Sequence, residues 1–241
     1  MLRTTTYKKI LGTHRFYRIL QGGMSSGKTV GVLMMILDYV MRYPNRLVTV
    51  ATDTAPNLRN GAHRDWDMIL ADTNMLNYFV YRRVDNIYRY RNGSSVEFLA
   101  LDDPMKARGA RRDMLYVNEA NRLRYETFDQ LASRTRDFVI LDFNPSSRFW
   151  AHDRLLHEYP DECDYFISTY KDNEALSESE VRNIERHDHH SNWWRVYGEG
   201  QIGELENNVY KGWQKIDTLP TDAQLIAYGL DYGSSPDPTA L

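Results

Sequence analysis

The sequence predicts an α/β fold, a mostly parallel central sheet flanked by helices, and three observations carry that prediction. Short apolar runs alternate along the chain with longer helical stretches. A glycine-rich turn stands directly between the first such run and the first helical stretch. At 241 residues, 42% of them hydrophobic, the chain can also bury the sizeable core that such a sheet needs.

The first strand is expected over residues 16–21, followed by a helix over 28–42 and a second strand over 46–51. A helix over 55–71 comes next, then a hairpin of strands 86–90 and 94–101 turning at Asn92-Gly93, a favoured two-residue turn. A third apolar strand over 114–117 should lie beside the first, with a helix over 125–133 and a strand over 138–143 after it. The turn-rich Asn144-Pro145-Ser146-Ser147 can cap a helix over 149–157, and residues 164–168 read as a further strand.

Beyond about residue 172 the texture changes. Ser177 and Glu180 form a capping-box pattern ahead of a very acidic helical stretch. We divide the chain into a core over 1–172, an acidic lid over 173–211, a linker over 212–222 and the start of another unit over 223–241, with a strand at 225–231.

Composition removes several classes. With 14 Gly and 8 Pro and no low-complexity tract, the chain is neither disordered nor fibrous. The longest apolar run, Val30 to Leu37, is too short to cross a bilayer, and the N-terminal MLRTTTYKK lacks a signal-peptide core, so a soluble cytosolic protein is expected. One cysteine, Cys163, excludes an internal disulfide or a thiolate metal cluster. The net charge of −3 is unevenly spread: residues 1–124 carry 20 basic against 11 acidic side chains, and residues 125–241 carry 10 against 22. A basic half permits a polyanionic partner without demonstrating one, and the acidic stretch from His152 to Asp222 is expected to face away from DNA.

The sharpest motif is GGMSSGKT, residues 22–29, which matches G-x-x-x-x-G-K-[S/T] between a predicted strand and a predicted helix. Its backbone N–H groups and the helix dipole suit a phosphate, Lys28 can reach the outer phosphates and Thr29 can bind Mg²⁺. Residues 114–120, MLYVNEA, read as a strand that delivers Glu119 to the nucleotide as the residue orienting water. A carboxylate at a helix N-terminus is the structural alternative for Glu119. Asn118 stands where such sites usually hold an aspartate; its amide can bond a metal-bound water but adds no charge, which predicts weaker Mg²⁺ affinity.

The basic run KARGARRD, residues 106–113, offers Arg108, Arg111 and Arg112 as candidates for neutralising transition-state charge, or as surface arginines. Asn144 in LDFNP could meet the γ-phosphate region, although Asn-Pro is also a turn signal. His187, His189 and His190 are spaced poorly for one metal, and Trp193, Trp194 and Tyr197 read as the core of the acidic subdomain.

Taken in order, GGMSSGKT, RGARRDMLYVNEAN, FDQLASRTRDFVILDFNPSSRFW, YGEGQIGELENNVY and YGLDYGSSPDPTAL resemble the large terminase subunit of tailed bacteriophages over most of the chain. The resemblance implies a P-loop ATPase of the additional-strand, catalytic-glutamate class with a small helical lid. Such a motor pumps double-stranded DNA into a procapsid, usually as a ring of five on the portal protein, working with the small terminase subunit in the host cytoplasm. By position, Gly22, Gly23, Met24, Ser25, Ser26, Gly27, Lys28 and Thr29 would bind ATP, and Thr29 with Asn118 would serve Mg²⁺. Glu119 would activate water, Asn144 would lie in the coupling motif, and Arg108 would act on the neighbouring subunit.

Many relatives carry Arg at the Met24 position, so its absence shifts weight to Arg108. Asp231 matches the first metal-binding carboxylate of an RNase H-like nuclease. With the sequence stopping about ten residues later, no nuclease activity is expected, because two-metal hydrolysis needs several carboxylates. A helicase-like translocase and a nucleotide-binding assembly module with little hydrolysis are the alternative functions.

Overall fold

The computed structural model describes residues 3–103, 109, 111–204, 218, 223 and 224. Residues 1–206 form one compact unit and residues 207–241 a second. The strand expected over 225–231 and the linker over 212–222 lie outside the described residues, apart from Thr218.

Eight strands form a single sheet: β1 (Tyr17–Gly22), β2 (Leu47–Thr52), β3 (Phe79–Arg82), β4 (Ile87–Tyr90), β5 (Ser95–Ala100), β6 (Arg112–Val117), β7 (Thr135–Phe143) and β8 (Cys163–Ser168). Their spatial order is β3-β4-β5-β2-β6-β7-β1-β8. The pairs from β5 through β8 are parallel, and only the β3-β4-β5 end is antiparallel. The predicted α/β class is therefore the observed one.

Strands buried on both faces must be apolar on successive residues, because neighbouring side chains point to opposite sides. In β1, Leu20 joins Val32, Ile36, Trp66 and Tyr116 in one core, while its neighbour Ile19 joins Val117, Phe128, Leu141 and Phe143 in the other. The helices covering these faces are α1 (Thr5–Leu11), α2 (Lys28–Arg42), α3 (Ala55–Leu58), α4 (Arg64–Asp72) and α5 (Tyr125–Ala132). Further along come the short α6 (Leu156–Glu158) and α7 (Glu178–Glu185).

α2 occupies the expected residues because its apolar side chains recur at helical spacing, burying Val32, Leu33, Met35, Ile36 and Val40. Ser177 and Glu180 do form a capping box at the start of α7.

Four expectations need correction. The helix over 55–71 is broken by a wide turn at Arg59–His63, where Gly61 adopts φ −106° and ψ −111°, a geometry outside the helical region. The hairpin turn has three residues, with Gly93 at φ +89° closing onto Tyr90, and an added Cβ there would sit 2.2 Å from Asn45 Oδ1. The helix over 149–157 opens as a wide turn, Ala151–Leu155, before α6. Finally β6 does not lie beside β1: β7 is inserted between them, as in the additional-strand class. α1 and the edge strand β3 were not foreseen.

Candidate active site

In a parallel sheet the loops after the strands share one edge, where ligands are received. On this edge, residues 23–29 turn from β1 into α2, with Ser25 at φ +56° and Gly27 at φ +79°. Gly27 occupies the N-cap position with no side-chain cap, so the amides of the first helical turn and the positive end of the dipole are left for an anion. The loop lines a cleft of about 290 Å³ together with Asn118, Glu119, Asp142, Asn144 and Asn173. A larger cleft, about 630 Å³, lies at the opposite edge around Arg18, Tyr39, Arg42 and Phe138. It lacks the convergence of backbone turn, lysine and carboxylates that distinguishes the smaller one.

Lys28 folds back over the loop, its Nζ donating to Gly22 O at 3.1 Å, Gly23 O at 2.9 Å and Ser26 Oγ at 3.0 Å. Burial pushes its ammonium down to about 8, and the carboxylates of Asp142 and Glu119 oppose that shift. Thr29 Oγ1 donates to Asp142 Oδ2 at 3.2 Å. Asn118, at the end of β6, donates its amide to Asp142 Oδ1 at 3.0 Å.

Glu119 follows in the left-handed region at φ +55°, its own N–H donating to Asp142 Oδ1 at 3.0 Å. That uncommon backbone directs its carboxylate onto Arg122 Nε at 2.6 Å, with Arg122 also 3.9 Å from Asp53. Burial raises the Glu119 pKa, Arg122 lowers it, and Asp142 and Asp53 raise it further. Asn144 is drawn to the loop as well, donating to Gly22 O at 2.9 Å.

The acidic segment braces the loop from the other side. Met24 N donates to Tyr197 O and Asn173 Nδ2 to Ser25 O, both at 2.8 Å, while Gly23 N donates to Ser168 O at the end of β8 at 3.0 Å. Behind them Gln21 donates to Gly200 O at 2.7 Å and receives His152 Nε2 at 2.9 Å. His152 Nδ1 accepts from Phe149 N, which leaves the proton on Nε2, and burial lowers the imidazole pKa. From α1, Thr6 Oγ1 donates to Ser26 O at 2.6 Å.

The structure thus gathers Gly22 to Thr29, Asn118, Glu119 and Asn144 at one place. Arg108 and Asp231 lie outside the described residues. Arg112 is buried at the start of β6, the end remote from Asn118, and so is not placed to meet a phosphate at this cleft. His187 and His189 stack on Trp193 and Trp194 at 3.5 and 3.7 Å. Trp194 packs with Tyr170 and Ile184 in a small core, with Trp193 against it, while Tyr197 is not part of that cluster.

Sequence reasoning missed Asp142, Arg122, Asn173 and the Gln21–His152 pair. Asp142 could have been found, since it stands two residues before Asn144 in the same strand-end motif and shares its face.

Hydroxyl, amide and carboxylate oxygens are the donors that a hard cation accepts. No group of three or more His, Cys, Asp and Glu side chains suited to a metal occurs among the described residues. Thr29 Oγ1 and the Asp142 carboxylate, 3.2 Å apart, are oxygen donors of the kind a hard cation takes, and they do not form an all-protein cage.

Residues 14–201 match the family described as phage terminase large subunit. The chain belongs to that family. No curated protein sequence matches it.

Among solved structures, the large terminase of a thermophilic bacteriophage aligns with TM-score 0.71 at 15% identity, over 83% of this chain and 53% of that one. The terminase of the same thermophilic phage in complex with ATP-γ-S aligns at 0.67 and 14%, over 80% and 51%. The ATPase domain of a Thermus phage large terminase aligns at 0.60 and 13%, over 82% of this chain and 92% of that domain. The shared feature is the fold of the terminase ATPase domain. This terminase chain spans about half the length of the thermophilic-phage protein. None of its described helices is long and apolar enough to cross a membrane.

Proposed function

We propose that this terminase chain binds ATP with Mg²⁺ at residues 22–29, hydrolyses it, and uses the cycle to drive double-stranded DNA into a procapsid. The observation that carries the reading is the convergence of Lys28, Thr29 and Glu119 on one cleft at the mouth of α2. The N–H groups of the first turn of α2 and the Lys28 ammonium supply positive charge where phosphate charge must be held. Lys28 has only carbonyl and hydroxyl acceptors to give up in exchange for phosphate oxygens, so it can change partners without breaking an ion pair.

Bound magnesium would neutralise phosphate charge, with Thr29 and the Asn118–Asp142 pair holding it. Glu119 would orient the attacking water and accept its proton, which requires its carboxylate to leave Arg122. Asn144, bonded to the loop through Gly22 O, and the 173–200 segment, bonded through Asn173 and Tyr197, would pass a change at the phosphates into the rest of the domain.

Membership of the terminase family supports a packaging context, with double-stranded DNA, a portal and procapsid, the small terminase subunit and further copies of this chain as partners in the host cytoplasm. Arg108 of one copy would then serve the cleft of the next.

The test is steady-state ATP hydrolysis over a range of protein concentration, with and without linear double-stranded DNA, against a Lys28→Ala background. A motor predicts DNA stimulation and a specific activity that rises with concentration. Hydrolysis no greater than the Lys28→Ala background under every condition would overturn the motor and leave a nucleotide-binding assembly module.

A further inference from the structure

Asn118 brings no charge to the position beside the loop threonine. A magnesium site of this kind draws affinity from one carboxylate beside the loop threonine, and an amide contributes no charge. Three bonds show what fills the position. Asp142, at the end of the inserted strand β7 and only 3% exposed, accepts Thr29 Oγ1 on Oδ2 at 3.2 Å. On Oδ1 it accepts Asn118 Nδ2 and Glu119 N, both at 3.0 Å.

A carboxylate can only accept, so the Asn118 amide must present its NH₂ to Asp142, and the same nitrogen lies 3.4 Å from Thr29 Oγ1. Its oxygen therefore points elsewhere, toward Gly61. Among the described residues no ion pair engages Asp142. A buried carboxylate with only neutral hydrogen-bond donors is costly unless a cation joins it, and Lys28, which lines the same cleft, or a bound metal can supply that cation.

We propose that Asp142 supplies the anionic charge of the magnesium site from β7, and that Asn118 is a positioning residue which holds that carboxylate against Thr29. The inserted strand thereby delivers both the metal-binding charge, through Asp142, and the contact to the loop, through Asn144 on the same face. Loss of the γ-phosphate would be felt by one strand through two residues. This proposal rests on nucleotide binding at residues 22–29.

The experiment is a calorimetric titration of ATP-γ-S at fixed Mg²⁺ concentrations, starting from EDTA, which reads the Mg²⁺ concentration giving half the metal-dependent tightening. For Asp142→Asn, the midpoint, read against the variant's own binding in EDTA, should rise about 10–100-fold over the parent's. The double variant Asn118→Asp, Asp142→Asn, which moves the carboxylate back to β6, should bring the midpoint to within about threefold of the parent. Asn118→Asp alone should not lower the midpoint, because the site already has its carboxylate and the variant loses the amide that positions it.

A midpoint that Asp142→Asn leaves unmoved overturns the proposal. So does a tenfold fall for Asn118→Asp alone, the one arm that does not depend on Asp142→Asn folding. A parent that binds no ATP-γ-S at any Mg²⁺ concentration overturns the nucleotide reading itself, a result distinct from either.

Discussion

Gly200 packs directly on the backbone of the phosphate loop, and a single methyl group tests that contact. Its backbone sits at φ +67°, and an added Cβ would lie 2.8 Å from Gly23 N, 2.9 Å from Gly22 Cα and 3.1 Å from Gly22 C. These are backbone atoms, held by Gly23 N bonded to Ser168 O and by Gln21 bonded to Gly200 O, so neither side can give way cheaply.

A left-handed non-glycine residue costs about 1–2 kcal/mol and overpacking about 1–3 kcal/mol, so Gly200→Ala should destabilise the domain by about 2–5 kcal/mol. At roughly 2–4 °C per kcal/mol for a domain of this size, Tm should fall by about 4–20 °C. Gly12→Ala is the matched control, since Gly12 has φ −79° and its nearest contact would be an ordinary 3.4 Å; it should stay within about 0.5 kcal/mol of the parent. Urea denaturation and thermal melting read both, with ATP-γ-S affinity measured on the folded fraction. If Gly200→Ala loses less than about 1 kcal/mol and binds nucleotide normally, the segment does not brace the loop as described.

Other consequences can be measured alongside. Bound phosphates favour the charged Lys28, whose free-state pKa lies near 8, so binding takes up a proton above that pH. ATP-γ-S affinity should therefore hold below pH 8 and weaken above it, by up to about tenfold per pH unit, and a flat profile to pH 9.5 would count against a buried lysine at the phosphates. Arg122→Ala removes the cation that lowers the Glu119 pKa in the free enzyme, so the acid limb of the kcat/KM profile should move to higher pH; a limb that stays put or moves lower contradicts the pairing. Asn173→Ala deletes the bond to Ser25 O and should cost about 1 kcal/mol while speeding nucleotide release, read by stopped-flow displacement.

Much of this was legible in the sequence because local signals and burial agree. The run Lys28 to Arg42 is a helix by periodicity and by packing, and β1, β6 and β7 are apolar on successive residues because helices cover both faces. The phosphate loop was legible for a different reason: its glycines, lysine and threonine are adjacent in the chain.

What stayed hidden depends on contacts between distant residues. α1 has little periodicity in seven residues and is held by Tyr7 and Ile10 against α2. Gly61 breaks a stretch whose apolar spacing alone reads as one helix. The place of β7 between β1 and β6 is a matter of crossover, which periodicity does not encode. Asp142 was passed over because a carboxylate at a strand end reads as ordinary until Thr29, Asn118 and Glu119 are seen to converge on it. Asn173 and Gln21 act on backbone carbonyls 148 and 179 residues away, beyond any motif.

The central claim is that this cleft hydrolyses ATP with Glu119 acting on the water. Its most direct test is single-turnover hydrolysis by the parent and by Glu119→Gln, with both saturated in ATP and Mg²⁺ and occupancy confirmed by ATP-γ-S competition. The account predicts equal occupancy and a hydrolysis rate lower by about 10²–10⁴-fold in the variant. Equal occupancy with a rate within a few-fold of the parent would contradict it, and would mean that another group handles the water.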